Sequence, residues 1–123
     1  MDVKASQADA LVQTPSVALL RDRLASGALE AVALVDAYIA RIQAREPEVG
    51  AWAWFDPEYA RGQARALDAH RRAGRPLGRL HGLPVGLKDI IDTMRIPTEN
   101  GCVQNSGRVP VRDAFVVATT KAS

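Results

Sequence analysis

Through the first half of the chain apolar residues recur three or four apart, and further on they switch to alternation. Val17, Leu20 and Leu24 follow one helical stripe, with Thr14, Pro15 and Ser16 as start and capping signals and Gly27 as a stop. Val32, Val35, Tyr38, Ile39 and Ile42 form a second stripe, with Asp36, Arg41 and Gln43 mostly elsewhere, and Pro47 and Gly50 mark its break. Val49 to Phe55 alternates small and aromatic residues, which predicts a short strand. Trp52 and Trp54 lie on one face of it, where core packing explains both rings and an aromatic substrate wall is the alternative. Asp56 followed by Pro57 predicts an N-cap and first turn of a helix that runs to about Arg72 and stops at Gly74. Its narrow side of Ala60, Ala64 and Leu67 suits close packing against a sheet.

A second alternating stretch lies within Gly78 to Asp92, GRLHGLPVGLKDIID. Gly82 and Gly86 permit positive φ or the close approach of another backbone. Pro84 fixes its own φ and biases Leu83 toward extended geometry. Leu83, Val85 and Leu87 then alternate, predicting a strand with Lys88 on its opposite face, next to its end. The order of elements predicts an α/β fold: two helices, a strand, a helix and the lysine strand.

Lysine occurs only at positions 4, 88 and 121, and positive charge is otherwise carried by Arg. Arg keeps its proton in a protein, whereas a lysine desolvated by apolar neighbours can give one up, so a catalytic base in this stretch has to be Lys88. The alternative is a solvated lysine after a strand, or a structural ion pair with Asp89 or Asp92. Those two carboxylates would share a face near the ammonium in a helical turn; as loop anchors they would accept backbone N–H bonds instead.

Together with Pro97, Thr98 and Gly101 just after it, GRLHGLPVGLKDIIDT resembles the first lysine motif of the amidase signature enzymes, serine hydrolases that cleave carboxamides with a Ser, cis-Ser, Lys triad. The two amphipathic segments, the GAWAWF run and the Ala-rich helix precede it in the family's order, so the resemblance runs from about Val17 to about Ala118. It implies the N-terminal part of that family's mixed-sheet fold, helices packed on an incomplete sheet, with residues 1–123 as a single partial domain. It also implies Lys88 as the base end of the proton relay, no cofactor, and a small-molecule or acyl amide as substrate once a C-terminal part completes the site. In the family both serines lie downstream in a GGSSGGS-type segment. No such segment occurs here: Ser6, Ser16, Ser26, Ser106 and Ser123 stand alone, none with glycine on both sides. The nucleophile, the cis-Ser and the oxyanion hole are therefore unassigned, and the tail departs from the family at TTKAS. A chain truncated before its serines, inactive alone, is expected; a non-catalytic remnant that binds a partner or itself through an exposed sheet edge is the alternative.

Composition narrows the remaining classes. A hydrophobic fraction of 47% with 24% charged residues is that of an ordinary globular chain rather than a disordered one. The net charge of +2 is small and the Arg residues are spread along the chain, so nucleic acid is not an expected partner. Arg71, Arg72, Arg75 and Arg79 cluster where a helix C-terminus favours cations anyway. His70 reads as solvated among Arg71 and Arg72, and His81 as a loop histidine bonded to nearby backbone. The single cysteine, Cys102, excludes an internal disulfide and reads as a small loop residue or buried thiol, and no ligand spacing suggests a metal. Residues 1–13 carry an early acid and no apolar run, which reads as a mobile leader rather than a signal peptide. The most apolar stretch, Ala28 to Ile42, is broken by Glu30, Asp36 and Arg41, so no membrane span and a cytoplasmic setting are expected. From Thr93 to Pro110 periodicity disappears and a functional loop is predicted, after which Asp113 can cap a last helix from Ala114 to about Thr119.

Overall fold

The structure, a computed structural model, describes residues 15–123, so the leader assigned to residues 1–13 and the start signal at Thr14 lie outside the described residues. Its elements are α1 (Val17–Ser26), α2 (Ala31–Val49), α3 (Pro57–Arg72), a 3₁₀ turn (Val103–Asn105) and α4 (Phe115–Ala122). They fall into two compact units: residues 15–52 with 56–84, and residues 53–55 with 85–123.

In the first unit the local sequence sets the helix ends. The Ser16 hydroxyl accepts the Leu19 N–H (3.2 Å) at the start of α1, and Gly27 closes it at φ 77°, its N–H donating to the Leu24 carbonyl. Leu20 and Leu24 are buried, whereas Val17, first on the same stripe, is 65% exposed. Helix α2 buries Ala31, Leu34, Val35, Ala37 and Ile39 and runs through Pro47 to Val49 before Gly50 ends it at φ 57°. Proline is tolerated there because the bond it forfeits lies in the last, solvent-facing turn. Asp56 caps α3 by accepting the Tyr59 N–H (3.0 Å), with Pro57 at the first helical position.

The start of α2 is capped from a distance. Glu30, at its N-cap position, makes no capping bond. Asp68, two percent exposed and 37 residues away from Ala31 on α3, accepts the N–H groups of Ala31 (2.7 Å) and Val32 (3.0 Å). A buried carboxylate requires this compensation, and a helix N-terminus supplies both donors and a favourable dipole. Glu30 is thereby left to pair with Arg71 and Arg72, each at 2.6 Å. The Arg71 guanidinium lies over Gly27, where an added Cβ would stand 2.4 Å from its Nη1, so the glycine meets both a left-handed turn and a close approach. The buried side of α3 is consequently Ala64 and Asp68; Leu67, expected inside, is 36% exposed.

The second unit is built from loops tied by polar groups. Among the described residues its buried side chains are Thr93, Thr98, Pro110 and Val117. Backbone bonds join Arg95 to Pro110 (3.1 Å) and Thr98 to Arg108 (3.0 Å), so that the 93–110 loop folds back on itself around the 3₁₀ turn. Asp113 does not cap α4, whose N-cap is Ala114; it accepts the Met94 N–H (2.7 Å) and pairs with Lys121 (2.8 Å).

The expected α/β fold with helices on an incomplete sheet is corrected: the described residues contain helices and loops and no strand. Val49 belongs to α2, residues 51–55 form no ladder, and residues 83–88 are irregular. Alternation reports which side chains share a face, but a strand also requires a neighbouring strand in register, and among the described residues neither segment belongs to a ladder. The sheet edge expected as a binding surface is therefore absent from the described residues. Trp52, expected in a core, is 40% exposed, and Val85 and Leu87 are 55% and 38% exposed.

Asp68→Ala should lower stability by about 2–3 kcal/mol, the scale of losing a cap and stranding buried donors. Urea denaturation at neutral pH measures this, with hydrogen exchange showing the Ala31 and Val32 amides deprotected first. Asp36→Asn, which breaks the surface pair with Arg61 (2.6 Å), should cost under about 1 kcal/mol. Equal losses in the two variants would contradict the assignment of Asp68 as the cap.

Candidate functional site

Lys88 is exposed at the end of the irregular segment 83–88 and opens a turn, its carbonyl accepting the Ile91 N–H at 3.0 Å. The two aspartates beside it are committed elsewhere. Asp89 accepts the Glu99 N–H (3.0 Å) and the Gly101 N–H (3.2 Å) through its carboxylate, and its backbone carbonyl accepts the Asn100 N–H (3.0 Å). Three bonds from one residue hold the 99–101 turn, in which Asn100 and Gly101 both have positive φ, at 58° and 62°. This is the loop-anchoring role rather than pairing with the ammonium.

Asp92 takes the other structural course. Its carboxylate receives both Nη groups of Arg108, at 2.6 and 2.7 Å, and its backbone carbonyl accepts the Ala114 N–H at 2.8 Å. Arg108 also donates to the Thr98 carbonyl (3.2 Å), so one guanidinium ties the lysine turn to the loop opposite it. Hydrogen bonding by Arg108 holds the Asp92 carboxyl below its ordinary value of 3.8. Lys121, followed by the Met94 N–H, does the same for Asp113. No local motif announces the Arg108 contact, because its partner is 16 residues away. Among the described residues no carboxylate lies within ion-pair distance of the Lys88 ammonium.

The other candidates separate from Lys88. Cys102 is a half-buried free thiol 3.9 Å from Gln104 Oε1. Among the described residues no group of three metal-ligating side chains comes together, and no helix is long and apolar enough to cross a membrane. A shallow concavity of the second unit is lined by Ile90, Asp92, Arg108, Arg112, Asp113 and Phe115 but not by Lys88. In the first unit His81 is buried, while His70, expected to be solvated, is half-buried with Nε2 2.9 Å from the Pro76 carbonyl. Lys88 thus has the residue type for a base and an open approach, without the apolar enclosure that a neutral lysine requires.

Comparison with known proteins bears on this arrangement. The family model described as Amidase matches residues 33–123. The chain is 44% identical over 101 residues to a glutamyl-tRNA(Gln) amidotransferase subunit of Streptomyces coelicolor, covering 82% of this chain and 20% of that protein. It is likewise 44% identical over 103 residues to the protein of the same name from Roseiflexus sp., covering 84% of this chain and 21% of the relative. The chain therefore spans about a fifth of the length of these curated relatives. Among solved structures, a chain from a vestigial protein complex bearing on the evolutionary origins of an s-triazine catabolic enzyme superposes with a TM-score of 0.82 at 28% identity, covering 88% of this chain and 24% of its own.

Asp89→Ala should cost about 1–2 kcal/mol and deprotect the Glu99 and Gly101 amides in hydrogen exchange, whereas Asp92→Asn should cost clearly less because its pair is half-exposed. The lowered Asp92 and Asp113 carboxyls stabilise the fold fully above their unfolded value of 3.8. That contribution is lost as pH falls through their folded values. Thermal melts from pH 5 downward should therefore show a shallower acid loss in Asp92→Asn than in the parent chain.

Proposed function

The chain belongs to the amidase family, and from that membership we propose that it carries the base end of a machinery that hydrolyses carbon–nitrogen bonds of amides, with Lys88 as the proton acceptor. The observation that supports this most is the disposition of the lysine motif. Asp89 and Asp92, the charges nearest in sequence, are spent on the 99–101 turn and on Arg108. Lys88 is left at the surface, and among the described residues no carboxylate pairs with its ammonium. A structural lysine would be expected to pair with one of them.

In the proposed reaction a nucleophilic serine attacks the amide carbonyl while its proton passes to a bridging serine, whose own proton passes to neutral Lys88. Backbone N–H donors hold the oxyanion, the protonated amine leaves, and water releases the acyl group by the same relay. These 123 residues contain no Gly- and Ser-rich segment to provide the serines or the oxyanion donors. Such groups must come from additional protein, which would also cover Lys88 and supply the desolvation that makes it a base. The substrate class is a small-molecule or acyl amide, the setting is cytoplasmic, and the 123 residues alone are inactive.

Two measurements test this. The purified 123-residue chain should not turn over aryl or alkyl amides above background; turnover abolished by Lys88→Ala would contradict the reading and demand another nucleophile. Fused to the downstream part of a related amidase, the chain should become active, with Lys88→Ala lowering turnover by about a hundredfold or more. Lys88→Arg should be nearly as damaging at an unchanged melting temperature, because guanidinium keeps the charge but cannot accept a proton. An active Lys88→Arg chimera would overturn the assignment.

A further inference from the structure

The turn 78–84, which leads into the lysine segment, is seated on the first unit by one histidine and one glycine. Gly82, at φ 77°, lies so close to the core that an added Cβ would stand 3.2 Å from both the Ala31 Cβ and the Leu24 Cδ2. Next to it the His81 ring is buried, with 9% of the residue exposed. Its centroid is 5.9 Å from that of His70 at an interplanar angle of 36°. His70, on α3, has its Nε2 2.9 Å from the carbonyl of Pro76, in the segment that leads into the turn, so the ring pair links α3 to the turn and to its approach.

We propose that His81 and His70 form a proton-operated latch, holding the turn 78–84 against α3 while the His81 ring is neutral and releasing it in mild acid.

The charges around His81 favour that response. On α3 it faces His70 and Arg71, which oppose a positive charge on its ring, and Asp68 and the Leu67 backbone, which favour one. Asp68 is already committed to the Ala31 and Val32 amides and cannot turn to His81 without uncapping α2. At Gly82 the helices α1 and α2 present only apolar Leu24 and Ala31 to the turn, and Glu30 at the start of α2 is occupied by Arg71 and Arg72. Burial first, then His70, hold the His81 pKa below its ordinary 6.5. The released turn therefore takes up a proton more readily than the seated one: seating is at full strength above about 6.5 and weakens as pH falls through the lower, seated value. A release confined to one turn is the kind of local opening that proteins undergo below their global unfolding limit.

Hydrogen exchange on the whole 123-residue chain between pH 7.5 and 5, corrected for intrinsic exchange rates, tests the latch. Protection of the His81 and Leu83 amides, which donate to the Gly78 and Leu80 carbonyls, should fall several-fold below about pH 6.5, and by no more than about tenfold per pH unit for a single proton. Amides in the middle of α2 should keep theirs. In His81→Gln the acid-dependent loss should vanish, and in His70→Gln, which leaves His81 in place but removes a group that opposes its charge, it should become smaller. Protection at 78–84 that is flat from pH 7.5 to 5 would overturn the proposal. So would an acid loss that persists unchanged in His70→Gln, or one shared equally with α2.

Discussion

The buried carboxylate of Asp68 on the first two amides of α2 is the constraint from which the first unit follows. A charge with 2% exposure needs partners of opposite polarity, and the two N–H groups at 2.7 and 3.0 Å are donors that a helix start otherwise leaves unpaired. This pairing fixes the rotation of α3, turning Ala64 and Asp68 inward and Leu67 outward. It frees Glu30 from capping, so Glu30 draws Arg71 across to the space over Gly27 at the end of α1. The same stretch of α3 carries Leu67 and His70, against which His81 packs.

The second unit solves a different problem with a different material. It has little apolar core, and its shape is held by aspartates that accept backbone N–H groups and by an arginine that pairs with Asp92 and donates to the Thr98 carbonyl. The lysine motif supplies two of these anchors itself. Its aspartates therefore serve geometry, which explains why the motif surrounds one lysine with two acids without neutralising it. Hydrogen bonds fix direction as well as distance, so such a network presents Lys88 from a defined turn even though the lysine is solvent-facing.

Features decided within a few residues were legible in the sequence: Ser16 and Gly27 bound α1, Asp56 and Pro57 start α3, and the lysine motif marks the family that the match over residues 33–123 establishes. Features decided by distant partners were not. The alternation of Leu83, Val85 and Leu87 specifies faces but cannot specify a neighbouring strand, and the predicted sheet is absent from the described residues. Pro47 suggests a break that the helix does not make, because the lost bond falls in its exposed last turn. Asp68, Arg108 and the His70 and His81 pair carry no local signature, since each is defined by a residue brought near only by folding.

The central claim is that Lys88 acts by accepting a proton, and chemical replacement of its side chain tests this most directly. In a completed, active chimera with Cys102→Ser, Lys88→Cys should be inactive. Aminoethylation of the new thiol restores an amine of nearly lysine length, and attachment of a trimethylammonium-ethyl group restores the charge without a removable proton. The account predicts amide turnover after aminoethylation and none above the unmodified level after the fixed cation. Equal recovery with both groups would mean that position 88 supplies charge alone, and would contradict the account.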